Sequence, residues 1–306
     1  MDGGVHRQDV YVVDYDLTNT DYEVKVVCAS PSAATSTVFA QTGAVAAING
    51  GYEKASVAIK GNAFLNTETG DFYPYTFGYP YSYMPNNTIG DTGVANWKNE
   101  GTFYCDGKQG VRIDFDAYDG GCSDNNGSGT KVKDVKTMRN YYKLCTDGEA
   151  GFISSAPVLA SNYTLFGRTF TSRNPGTGNS EMPAVHQSGA YPRTAVAIAY
   201  PDGVTPHLLL IVCDGRYDDS KGGYGMSALW LTRFMANVFG PRYMLNLDGG
   251  GSTTMCVSGQ GDGDTNVVNY PSDNNGATGS SGGGTKHTHD GERARDTFIV
   301  IVPKSI

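Results

Sequence analysis

No stretch of this chain holds the roughly 20 consecutive apolar residues that a membrane-spanning helix needs, so a helical span is excluded. Cations are scarce: 23 Lys and Arg stand against 31 Asp and Glu, for a net charge of −8, and no basic run interrupts the acidic balance. That excludes a nucleic-acid partner, whose backbone is bound by clustered cations. An anionic ligand would need a local cationic pocket. The cysteines, at 28, 105, 122, 145, 213 and 256, contain no C-x-x-C pair, which removes the usual structural zinc sites. Cys213 and Cys256 fall in apolar runs and read as buried free thiols. Cys105 and Cys122 flank "DGKQGVRIDFDAYDGG" and are open to pairing only in an oxidising compartment. No segment repeats. The opening "MDGGVHRQDVYVVDYD" has no apolar signal core, which fits a cytosolic protein or an exported one already processed. A Gly-, Asn-, Thr- and Tyr-rich composition with little Lys favours export.

What is present describes a folded globular chain: 39% hydrophobic, 18% charged, with 20 tyrosines. Its 306 residues show no linker and are read as one domain, 1–306. "DVYVVDYDL" and "YEVKVVCAS" read as a first strand pair. "PSAATSTVFAQTG" reads as a short helix opened by Pro and Ser and closed by Gly43. "AVAAINGGY" is a buried strand ending in a glycine turn. Residues 62–103, aromatic and proline-rich, read as an irregular excursion; "GVRIDFDAY" is a further strand and "KDVKTMRNYYKLC" a helix. "YPRTAVAIAY" and "PHLLLIVCDGR" are strands joined by Pro201-Asp202-Gly203. "MSALWLTRFMANVFGP" places Leu231, Phe234, Met235, Val238 and Phe239 on one helical face, with Gly240 and Pro241 as the stop. Residues 259–291, rich in Gly, Asp, Asn and Ser, read as a mobile loop, and "RDTFIVIVP" closes the sheet. Strands outnumber helices and hairpin turns are common. The expected fold is therefore α+β, with mixed, largely antiparallel sheets packed with a few helices.

Between the strands "YMLNL" and "TTMCV" stand Asp248-Gly249-Gly250-Gly251-Ser252-Thr253. Three consecutive glycines cost backbone entropy on ordering. A nucleotide phosphate loop is excluded, since no Lys follows the glycines and a strand rather than a helix comes next. What remains is an anion nest of backbone N–H groups beside the Ser252 and Thr253 hydroxyls, with a tight hairpin turn as the plain alternative. Asn246 and Asp248 point to one side of their strand. "INGGY" repeats the pattern, with Asn49 before Gly50 and Gly51. "CDGR" puts Asp214 and Arg216 after an apolar strand, and Arg193 opens another. Taken singly each reads as structural. Together they place planar cations, carboxylates and amides at the ends of strands that share a sheet.

The set "INGGY", "PRTAVAIA", "CDGR", "GGYGMSALWLTRFMANVFG" and "LNLDGGGSTTM", followed by "ERARDTFIVIV", resembles the phosphodiester glycosidase family over roughly residues 40–302. The resemblance implies release of a sugar, N-acetylglucosamine-like, from a sugar-1-phosphate diester, with a phosphomonoester left behind. It also implies an exported protein: periplasmic, cell-surface or extracellular. Carried onto this sequence, the site residues are Asn49, Gly50, Gly51, Arg193, Thr194, Asp214, Gly215, Arg216, Asn246, Asp248, Gly249, Gly250, Gly251, Ser252 and Arg293. This chain departs from the family pattern in carrying Glu53 where an aromatic usually follows, and in a longer Gly/Ser stretch before Arg293.

On this reading Arg193 and Arg216 take the phosphate oxygens and the Gly249–Gly251 amides add donors. Asp248 and Asp214 are the catalytic carboxylates, and Asn49 and Asn246 hold the sugar. The alternative use of Asp214 is to orient an arginine. No cofactor is expected. "GDGDTN" at 261–266 resembles part of a calcium loop but lacks its spaced bidentate Glu. The rival function is a non-catalytic glycan or phosphoglycan receptor, on the strength of the tyrosines in 72–84.

Overall fold

The computed structural model describes residues 6–52, 57–75, 100–106, 110–114, 150–170, 183–217, 223–273 and 287–304. In chain order the strands are β1 (Val10–Asp16), β2 (Tyr22–Ala33), β3 (Ala46–Asn49), β4 (Val57–Asn66), β5 (Phe72–Tyr75), β6 (Gly101–Asp106), β7 (Gly110–Asp114), β8 (Ala150–Ser155), β9 (Val158–Ser161), β10 (Thr164–Leu165), β11 (Arg193–Ala199), β12 (His207–Cys213), β13 (Tyr243–Asn246), β14 (Met255–Val257) and β15 (Arg295–Pro303). Helices α1 (Thr35–Thr42), α2 (Pro183–Ser188) and α3 (Ala228–Val238) complete the described elements. A six-stranded sheet runs β1-β12-β11-β13-β9-β10. A nine-stranded sheet runs β14-β3-β15-β2-β4-β8-β6-β7, with β5 on β4. Pairing is antiparallel among the described strands except for β2 with β4. The fold is α+β, as the patterning predicts. The predicted helix at "KDVKTMRNYYKLC" lies outside the described residues, as do Cys122, Cys145 and Glu53.

The two sheets face each other across one core. Val196, Leu210 and Leu245 of the six-stranded sheet belong to the same buried cluster as Val26, Ile48 and Ile299 of the nine-stranded one. The outer faces are covered by helices. Val38 and Phe39 of α1 pack with Val27, Ala47, Phe298 and Val300, and Leu231 and Met235 of α3 pack with Ala195, Ala197, Leu209 and Ile211. Four layers result, helix–sheet–sheet–helix.

Several sequence expectations change here. β1 and β2 do not pair: β1 lies on β12, while β2 runs between β15 and β4. The reason is visible in β2, whose apolar residues face both ways, Val26 and Cys28 into the shared core and Val27 and Ala29 towards α1. A strand apolar on both faces belongs inside a covered sheet. Pro31 and Ser32 belong to β2 rather than to the helix, so α1 starts later, at Thr35. Its N-terminus is capped from the far end of the chain by Glu292, which accepts from the Ser36 amide and hydroxyl. Gly43 closes the helix in the left-handed conformation, as expected.

The buried face of α3 is Ala228, Leu231, Thr232 and Met235, and Val238 is exposed. The excursion at 62–103 contains ordered strands β4, β5 and β6 in its described part. Residues 259–273 of the predicted mobile loop are fixed by hydrogen bonds, including Asp262 N–H to Val267 and Val268 N–H to Met255.

Candidate active site

Strand directions bring the motif residues to one end of the molecule. Arg193 is opposite Cys213 and Ala195 opposite Asn246, so the start of β11 and the ends of β12 and β13 coincide. In the other sheet, Asn49 is opposite Phe298 and Met255 opposite Ile48, so the end of β3 meets the starts of β14 and β15. The triple-glycine segment is therefore no hairpin. It carries the chain from β13 in one sheet to β14 in the other, through a short 3-10 turn at Gly250–Ser252.

Each glycine answers to a different neighbour. A Cβ on Gly249 would stand 2.7 Å from the Pro192 carbonyl oxygen. Gly250 has φ +64°, and its Cβ would stand 3.0 Å from Nη2 of Arg216. A Cβ on Gly251 would collide with the carboxyl carbon and both oxygens of Asp273, all equally near. The Gly250 amide donates to Pro192 (2.9 Å), so the predicted nest offers at most the Gly249 and Gly251 amides.

Beneath the turn lies a buried polar scaffold. Asn49 donates through Nδ2 to the Asp248 carbonyl (2.8 Å), and its Oδ1 accepts from the Thr194 hydroxyl (2.8 Å) and the Thr254 amide (3.2 Å). One side chain thus joins three strand ends. Asn246 Nδ2 bonds the Tyr52 hydroxyl (3.0 Å) and the Ala156 carbonyl (2.9 Å), while its buried Oδ1 has no partner among the described residues. The same holds for the buried hydroxyls of Ser252 and Thr253. Gly50 donates to the Thr297 carbonyl (2.6 Å), and Gly51 is buried beside it.

Arg193 is 4% exposed. Its Nε donates to Met226 O (2.7 Å), Nη1 to His186 O (2.8 Å) and Gln187 Oε1 (3.0 Å), and Nη2 to Gly189 O (2.9 Å). Four of the five N–H groups of this guanidinium are thereby engaged by neutral acceptors. Desolvation pulls its pKa down. The residue expected to grip phosphate is used to tie α2 and the start of α3 to the sheet.

The charged surface above the scaffold is formed by Asp248, Arg216 and Arg293, together with Arg295 and Asp273, which sequence reasoning did not single out. Asp248 Oδ2 pairs with Arg295 Nη2 at 3.0 Å. Arg295 also donates to the Tyr52 carbonyl, and its buried Nε has no partner among the described residues. Arg293 binds Asp273 Oδ2 through Nε (2.7 Å) and Nη2 (2.6 Å). Arg216, itself at φ +67°, reaches Asp273 Oδ1 at 3.6 Å and the Ser272 hydroxyl at 3.2 Å. The available signal was Arg295 itself, a cation opening the otherwise apolar strand β15 two residues after Arg293.

Asp214 stands apart from these pairs, 1% exposed. Its carboxylate accepts from Asn269 Nδ2 (3.1 Å) and the Tyr270 amide (3.0 Å), with the Tyr11 hydroxyl also bonded to it. Burial pushes its pKa from 3.8 up to about 7, against the opposing pull of those hydrogen bonds. An acid raised in the folded state holds a proton that the unfolded chain has already lost between those values, so stability falls as pH rises from about 4 to about 7. The gap corresponds to on the order of 4 kcal/mol. Asp214→Asn keeps an acceptor for Tyr270 and Asn269. It is expected to flatten the urea midpoint across that range; an unchanged slope would refute the assignment.

Within 261–266, Asp262 Oδ1 accepts from the amides of Asp264 (3.0 Å) and Thr265 (2.9 Å) and from the Thr265 hydroxyl (2.9 Å). The receptor alternative rested on the aromatic side chains of 72–84, which lie outside the described residues.

The fold is an α+β sandwich in which paired guanidinium and carboxylate groups are set over a glycine crossover between the sheets. A family model described as phosphodiester glycosidase matches residues 42–283, and the chain belongs to that family. The solved structures that share the fold include the following three. The zebrafish N-acetylglucosamine-1-phosphodiester alpha-N-acetylglucosaminidase catalytic domain, auto-inhibited by its pro-peptide, is 16% identical, with 99% of this chain and 85% of that one covered and a TM-score of 0.54. A Burkholderia pseudomallei K96243 protein assigned as exported is 12% identical, with 97% and 74% covered and a TM-score of 0.55. A hypothetical protein from Synechocystis is 13% identical, with 99% and 60% covered and a TM-score of 0.52. No curated protein matches the sequence. Among the described residues no helix is long and apolar enough to cross a membrane.

Proposed function

We propose that the chain hydrolyses the glycosidic bond of a sugar-1-phosphate diester, releasing the sugar and leaving a phosphomonoester on the other partner. The observation that carries this reading is the Asp248–Arg295 pair (3.0 Å) set beside Arg216 and Arg293 across the glycine crossover. A phosphate ester is already a stable anion, so its departure needs charge neutralisation more than protonation. Arg216 and Arg293 supply that charge, with planar donors suited to phosphate oxygens.

Asp248, oriented by Arg295, faces the developing oxocarbenium centre or takes a proton from water there. Asp214 anchors the segment that begins at Asn269. Asn49, Thr194, Asn246 and Arg193 hold the strand ends in register, and the Asn246 side-chain Oδ1 is a buried acceptor left for a sugar N–H or hydroxyl. N-acetylglucosamine is the first sugar to test, being the one named for the zebrafish protein, and export is the matching localisation.

The test is a phosphorus NMR time course on methyl diesters of sugar-1-phosphates in water enriched in oxygen-18. The expected result is a monoester resonance growing at the diester's expense, with the label in the sugar. Label in the phosphate would mean P–O cleavage and refute the glycosidase reading. Binding without any turnover across the panel would favour a receptor.

A further inference from the structure

The geometry points to Asp273 as the residue that sets which charge state of phosphate the pocket accepts. This inference rests on the phosphate reading above and deepens it. The Asp273 carboxyl lies face-on to Gly251, since a Cβ there would be equally near its carbon and both oxygens. One oxygen is held by Arg293 at 2.6 and 2.7 Å, and the other looks towards Arg216 at 3.6 Å. A resident carboxylate thus stands between the two guanidiniums that would grip a phosphate, on the one glycine of the crossover shaped to admit it.

The segment leading to Asp273 is tied residue by residue, which marks the carboxylate as a built feature. Asn269 takes the Met255 amide (2.9 Å) and donates to Asp214 (3.1 Å). The Tyr270 amide donates to Asp214 (3.0 Å), the Pro271 carbonyl accepts from the Tyr217 hydroxyl (2.9 Å), and Ser272 accepts from Arg216 (3.2 Å). With Arg216, Arg293 and Arg295 positive and Asp248 and Asp273 negative, the surface carries a surplus of one positive charge among the described residues.

A phosphodiester bears one negative charge at any ordinary pH, whereas a phosphomonoester carries close to two above its second ionisation at about pH 6. Attraction to the pocket grows in proportion to ligand charge, while the cost of desolvating the ligand grows with its square. A surplus of one therefore matches the diester. The dianionic product of the proposed reaction is left under-neutralised and is released. Removing the Asp273 charge raises the surplus to two and shifts the preference to the dianion.

The experiment measures equilibrium binding of dimethyl phosphate and methyl phosphate at pH 8 by titration of the full chain, with thermal melting as a check on folding. Wild type is expected to bind dimethyl phosphate the more tightly. Asp273→Asn is expected to tighten methyl phosphate on the order of tenfold or more, with a smaller change for dimethyl phosphate. Asp273→Glu should keep the wild-type order. An Asn variant with an unchanged ratio, or one that loses both ligands alike, would show that Asp273 only orients the arginines. A wild type that prefers methyl phosphate overturns the proposal without any variant, even if Asp273→Asn fails to fold. If wild type binds neither probe, the phosphate reading of the site falls as well. Binding of both with an unaltered ratio removes this inference alone.

Discussion

Asp248→Asn is expected to lower kcat for a sugar-1-phosphate diester by about 10²–10⁴-fold while leaving KM close to its wild-type value. The backbone on either side of the substitution is held independently of the carboxylate. The Asp248 amide donates to Gly50 O at 3.1 Å, and its carbonyl accepts from Asn49 at 2.8 Å. Asparagine keeps the size and one acceptor for Arg295, so geometry survives and only the charge is lost. Phosphate contacts from Arg216 and Arg293 do not pass through this side chain, hence the expected split between kcat and KM. Initial rates from the phosphorus NMR assay decide the matter. A variant with near-wild-type kcat would remove Asp248 from the chemistry.

Arg193→Met is expected to act on the fold, with a stability loss on the order of 3 kcal/mol and a fall in Tm of at least about 5 °C. Methionine roughly fills the volume but removes the shared donor of the part-buried His186 and Gly189 carbonyls and of the buried Gln187 side chain. Among the described residues the Met226 carbonyl keeps only the Tyr191 amide, at 3.4 Å. Each group left short of a partner costs its own desolvation. A phosphate ligand would behave in the opposite way, raising KM and sparing Tm. Thermal melting with KM determination on the same variant separates the two roles. An unchanged Tm would restore Arg193 to the binding surface.

Much of this site was legible because its elements end in recognisable residues. Gly43, Gly203 and Gly240 mark real turns, with positive φ at each. Asn49, Asp214, Arg216 and Asp248 all stand at strand ends on one side of the molecule. What stayed hidden depended on pairing between distant segments, which local periodicity does not encode. "YMLNL" and "TTMCV" look like the arms of a hairpin, yet each pairs with a strand far away in sequence, β11 for one and β3 for the other. Arg193 looked like a ligand because nothing in "YPRTAVAIA" reveals that carbonyls from residues 186, 189 and 226 converge on it. Asp273 sits in a stretch of Gly, Asp, Asn and Ser with no period, so its partnership with Arg216 and Arg293 had no local trace. Arg295 was passed over as the first residue of an apolar strand.

The crossover's three glycines are not interchangeable spacers. Only the middle one is a matter of torsion angle, and asparagine, which tolerates that twist, is the least damaging replacement there. The outer two are matters of clearance: one keeps the main chain off a proline carbonyl, and the other leaves a berth for an acidic side chain. Enlarging the first would push the end of β13 off the start of its neighbour β11, within one sheet. Enlarging the last would evict a single carboxylate and leave that strand pair closed.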